Sequence, residues 1–178
     1  MNTTTLRDIS LGVDRSGQRP GGAWRMVLAA GAAAATLDMV YACTVLYFRH
    51  GMNSQRVMQS IASGFYGQAA YSGGWATAAV GFVAHYFILI VAAWWFFLAS
   101  KYLRVLRERA VACGIAYGAA IYGTMNFIIL PLSNAPFGSK SFDLAITLPR
   151  LIEFGMHLVF GVIIALVVRR YWRRADIH

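Results

Sequence analysis

Four long apolar runs, separated by short polar stretches, constrain this chain more than any other feature. They cover roughly residues 24–48, 75–100, 110–130 and 149–168, and charged residues fall between them and hardly ever inside them. Each is close to the ~20 residues that a helix rising ~1.5 Å per residue needs to cross a ~30 Å hydrocarbon layer. Backbone amides have no partner in lipid, so such runs must close their hydrogen bonds internally as helices. They are also too long for the ~10-residue alternating strands of a membrane barrel. Hydrophobic residues make up 58% and charged residues 13% of the 178 positions, the latter about half the share usual in soluble domains. A water-soluble fold could not hide that apolar surface. The expected fold is all-α: an integral-membrane, antiparallel four-helix bundle over residues 23–174, with tails at 1–22 and 175–178.

Basic residues set the expected orientation. Arg7, Arg15, Arg19 and Arg25 precede or open the first run, Lys101, Arg104, Arg107 and Arg109 lie between the second and third, and Arg169, Arg170, Arg173 and Arg174 follow the fourth. These are twelve of the sixteen Lys and Arg residues; Arg49, Arg56, Lys140 and Arg150 lie in the opposite loops. The positive-inside rule then puts both termini and the 101–109 loop in the cytoplasm of a bacterium and the chain in its inner membrane. The net charge of +9 is thus mostly topology, and the pattern excludes a nucleic-acid-binding module, whose basic residues would share one aromatic-studded soluble face. Anionic lipid head groups are the expected partners of the clusters at 101–109 and 169–174.

Residues 1–22, rich in Thr, Ser, Gly and Arg, read as a disordered cytoplasmic tail. The basic residues followed by Met26–Ala35 imitate a secretory signal, but the apolar stretch continues through Val40, Val45 and Phe48, which suits a retained anchor. Cys43 and Cys113 fall near opposite ends of their spans, ~20 Å apart in depth. They are expected as packing residues and not as a disulfide. Residues 52–74 form an outer interfacial segment. Within it, Val57, Met58, Ile61 and Phe65 recur at helical spacing opposite Gln55, Gln59, Ser60 and Ser63. Two placements fit that pattern, flat on the outer leaflet or tucked over the bundle mouth. Pro131–Leu148, with Pro131, Pro136 and Gly138, reads as a broken loop whose Phe137, Phe142, Leu144 and Ile146 dip into the interface.

The polar residues inside the spans carry what functional signal there is. They are Asp38, His85, Asn126, Glu153 and His157. Counted from the outer ends, all lie about 6–15 Å deep at a helical rise, in the outer half. An ionisable group facing lipid costs at least ~2.5 kcal/mol, so agreement in depth across four helices points to one shared cluster. Asp38, His85 and Asn126 each end a stripe of small residues: Gly31, Ala34 and Asp38; Ala78, Gly81 and His85; Gly114, Gly118, Tyr122 and Asn126. Such stripes let membrane helices approach closely, which turns the polar groups inward. On the fourth helix Arg150, Glu153 and His157 share a face. Arg150 and Tyr122 are expected at the pocket mouth, with Arg150 pairing to Glu153 and either carboxylate contacting His157. The inner half is expected to be small and apolar.

Three functions fit this cluster. The groups could be interhelical hydrogen-bond glue in a purely structural subunit; they could line an outward-facing wet pocket for small-solute or proton-linked transport; or His85, His157, Asp38 and Glu153 could supply ligands to a divalent metal or a haem. Transport or a channel-like role is the reading preferred here. No phosphate loop, CxxC pair, His-Glu-x-x-His or serine elbow is present, and no nucleophile has an evident base, which argues against an enzyme. The small-residue faces are also compatible with a homo-oligomer or a membrane partner subunit.

From the second span onward the chain resembles the YagU-like family of small bacterial inner-membrane proteins of unknown function. The resemblance is carried by His85, the basic 101–109 loop, the Gly114/Gly118 helix ending in Ile129-Leu130-Pro131-Leu132, and Glu153-Phe154-Gly155-Met156-His157-Leu158-Val159-Phe160 before the basic tail. It covers about residues 76–174 and implies a multi-helix inner-membrane fold in which His85, Glu153 and His157 matter. The first span with Asp38, and residues 52–74, stand outside it.

Overall fold

The computed structural model describes residues 20–136 and 147–175. Among them there is no strand, and four helices are long and apolar enough to cross a membrane: Gly22–His50, Gly74–Tyr102, Ala110–Leu132 and Leu148–Arg174.

Helix α1 is Pro20–His50. It begins earlier than expected, so the tail at 1–22 gives way to helix at Pro20, a residue suited to a first turn because its missing N–H needs no partner there. Residues 1–19 lie outside the described residues. The helix stops at Gly51, whose φ of 64° carries the chain into the left-handed region. Its N–H closes onto the Tyr47 carbonyl at 2.9 Å. Helix α2, Ser54–Tyr66, is started by Asn53, whose side chain accepts from the Arg56 N–H at 2.9 Å. A 3₁₀ turn over Gly67–Ser72 leads into α3, Gly74–Tyr102.

The basic loop after α3 contains a single helical turn, Val105–Glu108. Helix α4, Ala110–Thr124, continues as a π-helical turn over Met125–Ile129 and a last turn over Leu130–Leu132. The expected loop over Pro131–Leu148 is therefore shorter at both ends: Pro131 and Leu132 are helical, and α5 spans Leu148–Ala175. Phe137, Phe142, Leu144 and Ile146 fall outside the described residues. Helix α5 also runs past residue 168, so Arg169, Arg170, Arg173 and Arg174 sit on helix and not on a tail.

Helix α1 packs between α3 and α5, α4 packs on α5, and α2 lies along the first half of α3. The small-residue stripes are the contact faces. A Cβ on Gly31 would meet the Ile90 backbone, one on Gly81 the Met58 carbonyl, and ones on Gly114 and Gly118 the backbone of α5 at Gly161 and His157. Helix α2 does not present its polar face to water. Gln59 and Ser63 are buried, whereas Phe65 is exposed, and Gln59 Nε2 donates to the Gly74 carbonyl at 3.0 Å. The start of α3 supplies polar backbone there, so the amide side of α2 packs along with the buried Val57 and Ala62.

One half of the bundle, holding the start of α1 and the end of α3, is solidly filled. It is not made of small residues alone as expected: Phe96, Phe97 and Phe160 are buried among Val27, Ala30, Ala34, Ala93, Ile164 and Val168. Large rings occupy the space that small neighbours leave. Tyr117 ties α4 to α3 by donating to the Ala92 carbonyl at 2.7 Å, and the Trp172 indole donates to Ser100 Oγ at 2.9 Å.

Candidate functional site

The other half of the bundle holds a cavity of about 370 Å³. Its floor is Leu89, Ala92 and Phe160, and it reaches the bundle end beside Arg49, Leu130 and Pro149. Asp38, His85, Asn126, Glu153 and His157 all line it, from α1, α3, the π turn after α4, and α5. Helix α2 closes one side with Val57, Ser60 and Ile61.

Asp38 and His85 form its centre. The His85 ring is buried, with Nε2 3.7 Å from Asp38 Oδ2 and 3.1 Å from the Ala35 carbonyl. A carbonyl has no proton to give, so Nε2 carries one and donates it to Ala35, leaving Nδ1 as the acceptor of the neutral ring. A proton added at Nδ1 would create an imidazolium beside the Asp38 carboxylate without breaking the bond to Ala35. The pair can thus change charge while keeping its geometry.

His157 has the opposite tautomer by the same reasoning. Its Nδ1 lies 2.9 Å from the Glu153 carbonyl, one turn back on α5, so Nδ1 donates and Nε2 stays open. The expected contact between His157 and a carboxylate is replaced by this backbone bond. Asn126 spends Nδ2 on the Tyr122 carbonyl at 3.1 Å and keeps Oδ1 as an acceptor.

Neither residue expected at the mouth lines the cavity. Tyr122 stands edge-on to the His157 ring with centroids 5.3 Å apart, fixing the ring from outside, and Arg150 sits half-buried off the cavity's edge. The rim cation is Arg49 instead. With Tyr41 and Val45 it continues the face of Asp38 at i+3, i+7 and i+11, so helical spacing alone could have found these three. Ser60 carries no such signal, because only the fold of α2 onto the bundle brings it here.

For a metal or haem, the two imidazoles offer His85 Nδ1 and His157 Nε2. Among the described residues, no group of three or more His, Cys, Asp and Glu side chains is placed to hold a metal ion. His85 Nε2, the usual axial nitrogen, is engaged with Ala35. Cys43 and Cys113 are both free thiols. No protein-family model, curated protein or solved structure matches the chain.

Proposed function

We propose that the chain is an integral membrane protein whose four long helices cross the bilayer, and that its cavity carries protons or a small solute. Two belts of exposed aromatics support the first part. Trp24, Trp95 and Tyr102 ring the filled end, and Tyr47, Tyr66 and Trp75 ring the cavity end. At the rise of a helix the belts are ~35 Å apart from Trp24 to Tyr47 along α1 and ~30 Å from Trp75 to Trp95 along α3, with Tyr102 ~10 Å further out; a hydrocarbon core is ~30 Å thick, and Trp and Tyr favour its two boundaries. Large apolar residues between the belts, such as Val40, Val83 and Phe87, are exposed and would face lipid. The excess of Lys and Arg at the filled end puts that end, with both termini, on the cytoplasmic side. The resemblance to the YagU-like family supports a bacterial inner membrane.

The transport reading rests on a single observation: five polar side chains from four helices meet on one cavity, whose lining runs from the buried Phe160 to Arg49, Leu130 and Pro149 at the bundle end. Packing glue needs no empty volume, whereas a carrier must offer a pocket open to one side and closed to the other. The Asp38–His85 pair, able to gain a proton in place, and the open Nε2 of His157 supply the chemistry.

The test is proton flux into vesicles containing the purified protein and an internal pH-sensitive dye, driven by an imposed potential. Swelling in isosmotic small solutes covers the uncharged cargoes. Flux above that of protein-free vesicles, lowered about tenfold or more in Asp38→Asn and His85→Leu, is expected, since one lost charge contact is worth at least ~1.4 kcal/mol. Background flux for every solute, with each variant merely less heat-stable, would assign the cluster to helix packing.

A further inference from the structure

A second polar feature lies at the filled end, away from the cavity. There the helical turn Val105–Glu108 packs against the end of α5, leaving a cleft of about 620 Å³ lined by Arg104, Arg107, Glu108, Arg169, Trp172 and Arg173. Four guanidiniums thus meet one carboxylate, which is already engaged: Arg104 Nε donates to Glu108 at 2.8 Å. Arg169 and Arg173, one turn apart on α5, bring two more like charges to the same wall, an arrangement that is unfavourable without a counterion.

Arg107 is the residue held most firmly. Its guanidinium lies over the Trp172 ring, 4.7 Å from the centroid, and the indole is itself fixed by its bond to Ser100. Arg107 Nε is buried and has no hydrogen-bond partner among the described residues. The side chain as a whole is only half-buried, so the rest of the guanidinium borders the cleft and can take an acceptor from outside the chain to offset the unpaired Nε. The acceptor must be an anion with several oxygens in fork-compatible geometry, because the donors are guanidiniums.

We propose that this cleft binds a phosphoryl anion, either the phosphate of an anionic lipid head group or a soluble phosphate. The exposed Trp95 and Tyr102 lie at the same end of the molecule, which sets the cleft near head-group level if the helices span a bilayer. Binding there is independent of what the cavity does, so failure of either reading leaves the other standing.

The experiment uses the full-length protein in a neutral detergent, titrated with inorganic phosphate, with short-chain phosphatidylglycerol, or with short-chain phosphatidylcholine as the zwitterionic control. Saturable binding of at least one anionic ligand is expected, read as a rise in thermal midpoint. Its affinity should fall about tenfold or more in Arg107→Gln and Arg173→Gln, the loss of one charge-assisted bond. Arg174→Gln removes the same charge from the same turn but outside the cleft, and should stay within about twofold of the wild type. Binding of both phosphate and the anionic lipid assigns a soluble phosphate site; binding of the lipid alone assigns a head-group site. Arg173 is exposed, so Arg173→Gln decides the matter should Arg107→Gln fail to fold. Equal weakening in Arg173→Gln and Arg174→Gln, or no saturable binding of either ligand, overturns the site.

Discussion

Single atoms decide much of this molecule's chemistry. His85 and His157 both spend one nitrogen on a backbone carbonyl, at 3.1 and 2.9 Å, so each ring is locked in orientation and tautomer while its other nitrogen remains available. Glycine does the corresponding work for the backbone. At Gly118 a Cβ would run into the His157 carbonyl and the Leu158 Cα, whereas at Gly155, on the same α5 as His157, a Cβ would meet nothing within 4 Å. Gly118→Ala should therefore cost about 1–3 kcal/mol by overpacking and displace His157. Gly155→Ala should be neutral or stabilise by up to ~1 kcal/mol, because alanine favours the helix. Thermal unfolding of the two variants in detergent checks the contrast, and equal midpoints would show that α4 and α5 are not in backbone contact.

Among the elements, the π turn at Met125–Ile129 bears most directly on the cavity. The Leu130 N–H reaches back to the Met125 carbonyl, a five-residue step. Pro131 follows with no N–H, so it supplies neither the α partner of the Phe127 carbonyl nor the π partner of the Asn126 carbonyl. The wider turn is where the helix absorbs that gap, and it is also where Asn126 joins the cavity. Pro131→Ala restores an N–H and should let the turn relax to α, shifting register by one residue, or ~100° around the axis. In a background with Cys43 and Cys113 replaced, a cysteine at position 126 should then react more slowly with a water-soluble thiol reagent than it does with Pro131 in place. An unchanged rate would mean that the π turn is set by packing and not by the proline.

At the scale of the whole molecule the two ends differ in kind. One is packed with Phe96, Phe97 and Phe160 and flanked by arginines; the other is hollow and lined by ionisable groups. The positive-inside rule turns this asymmetry into a direction. A single cysteine at exposed Gly51 should be labelled by an impermeant thiol reagent on intact cells, and one at exposed Tyr102 only after the membrane is opened. The reverse pattern would turn the cavity toward the cytoplasm.

The four helices and their number were legible from apolar length, since backbone hydrogen-bond satisfaction and span length are local properties that twenty consecutive residues already express. Depth and small-residue stripes point to one cluster of Asp38, His85, Asn126, Glu153 and His157, and in the structure all five line one cavity. Element ends were less legible: Pro20 joins its helix in the first turn, where its missing N–H needs no partner, and Pro131 joins one after a π turn that accommodates it. The facing of α2 was decided only by tertiary structure. Its buried Gln59 is polar by sequence and becomes interior by donating to the Gly74 carbonyl at the start of α3, while the buried Ser63 donates back to the Ser60 carbonyl of its own helix. The same holds for which nitrogen of each histidine is free, for Tyr122 standing behind His157 and not at the mouth, and for the cleft around Arg107. In each case the partner comes from a distant segment or from the backbone, and no spacing rule within one helix encodes where another helix will place its carbonyls.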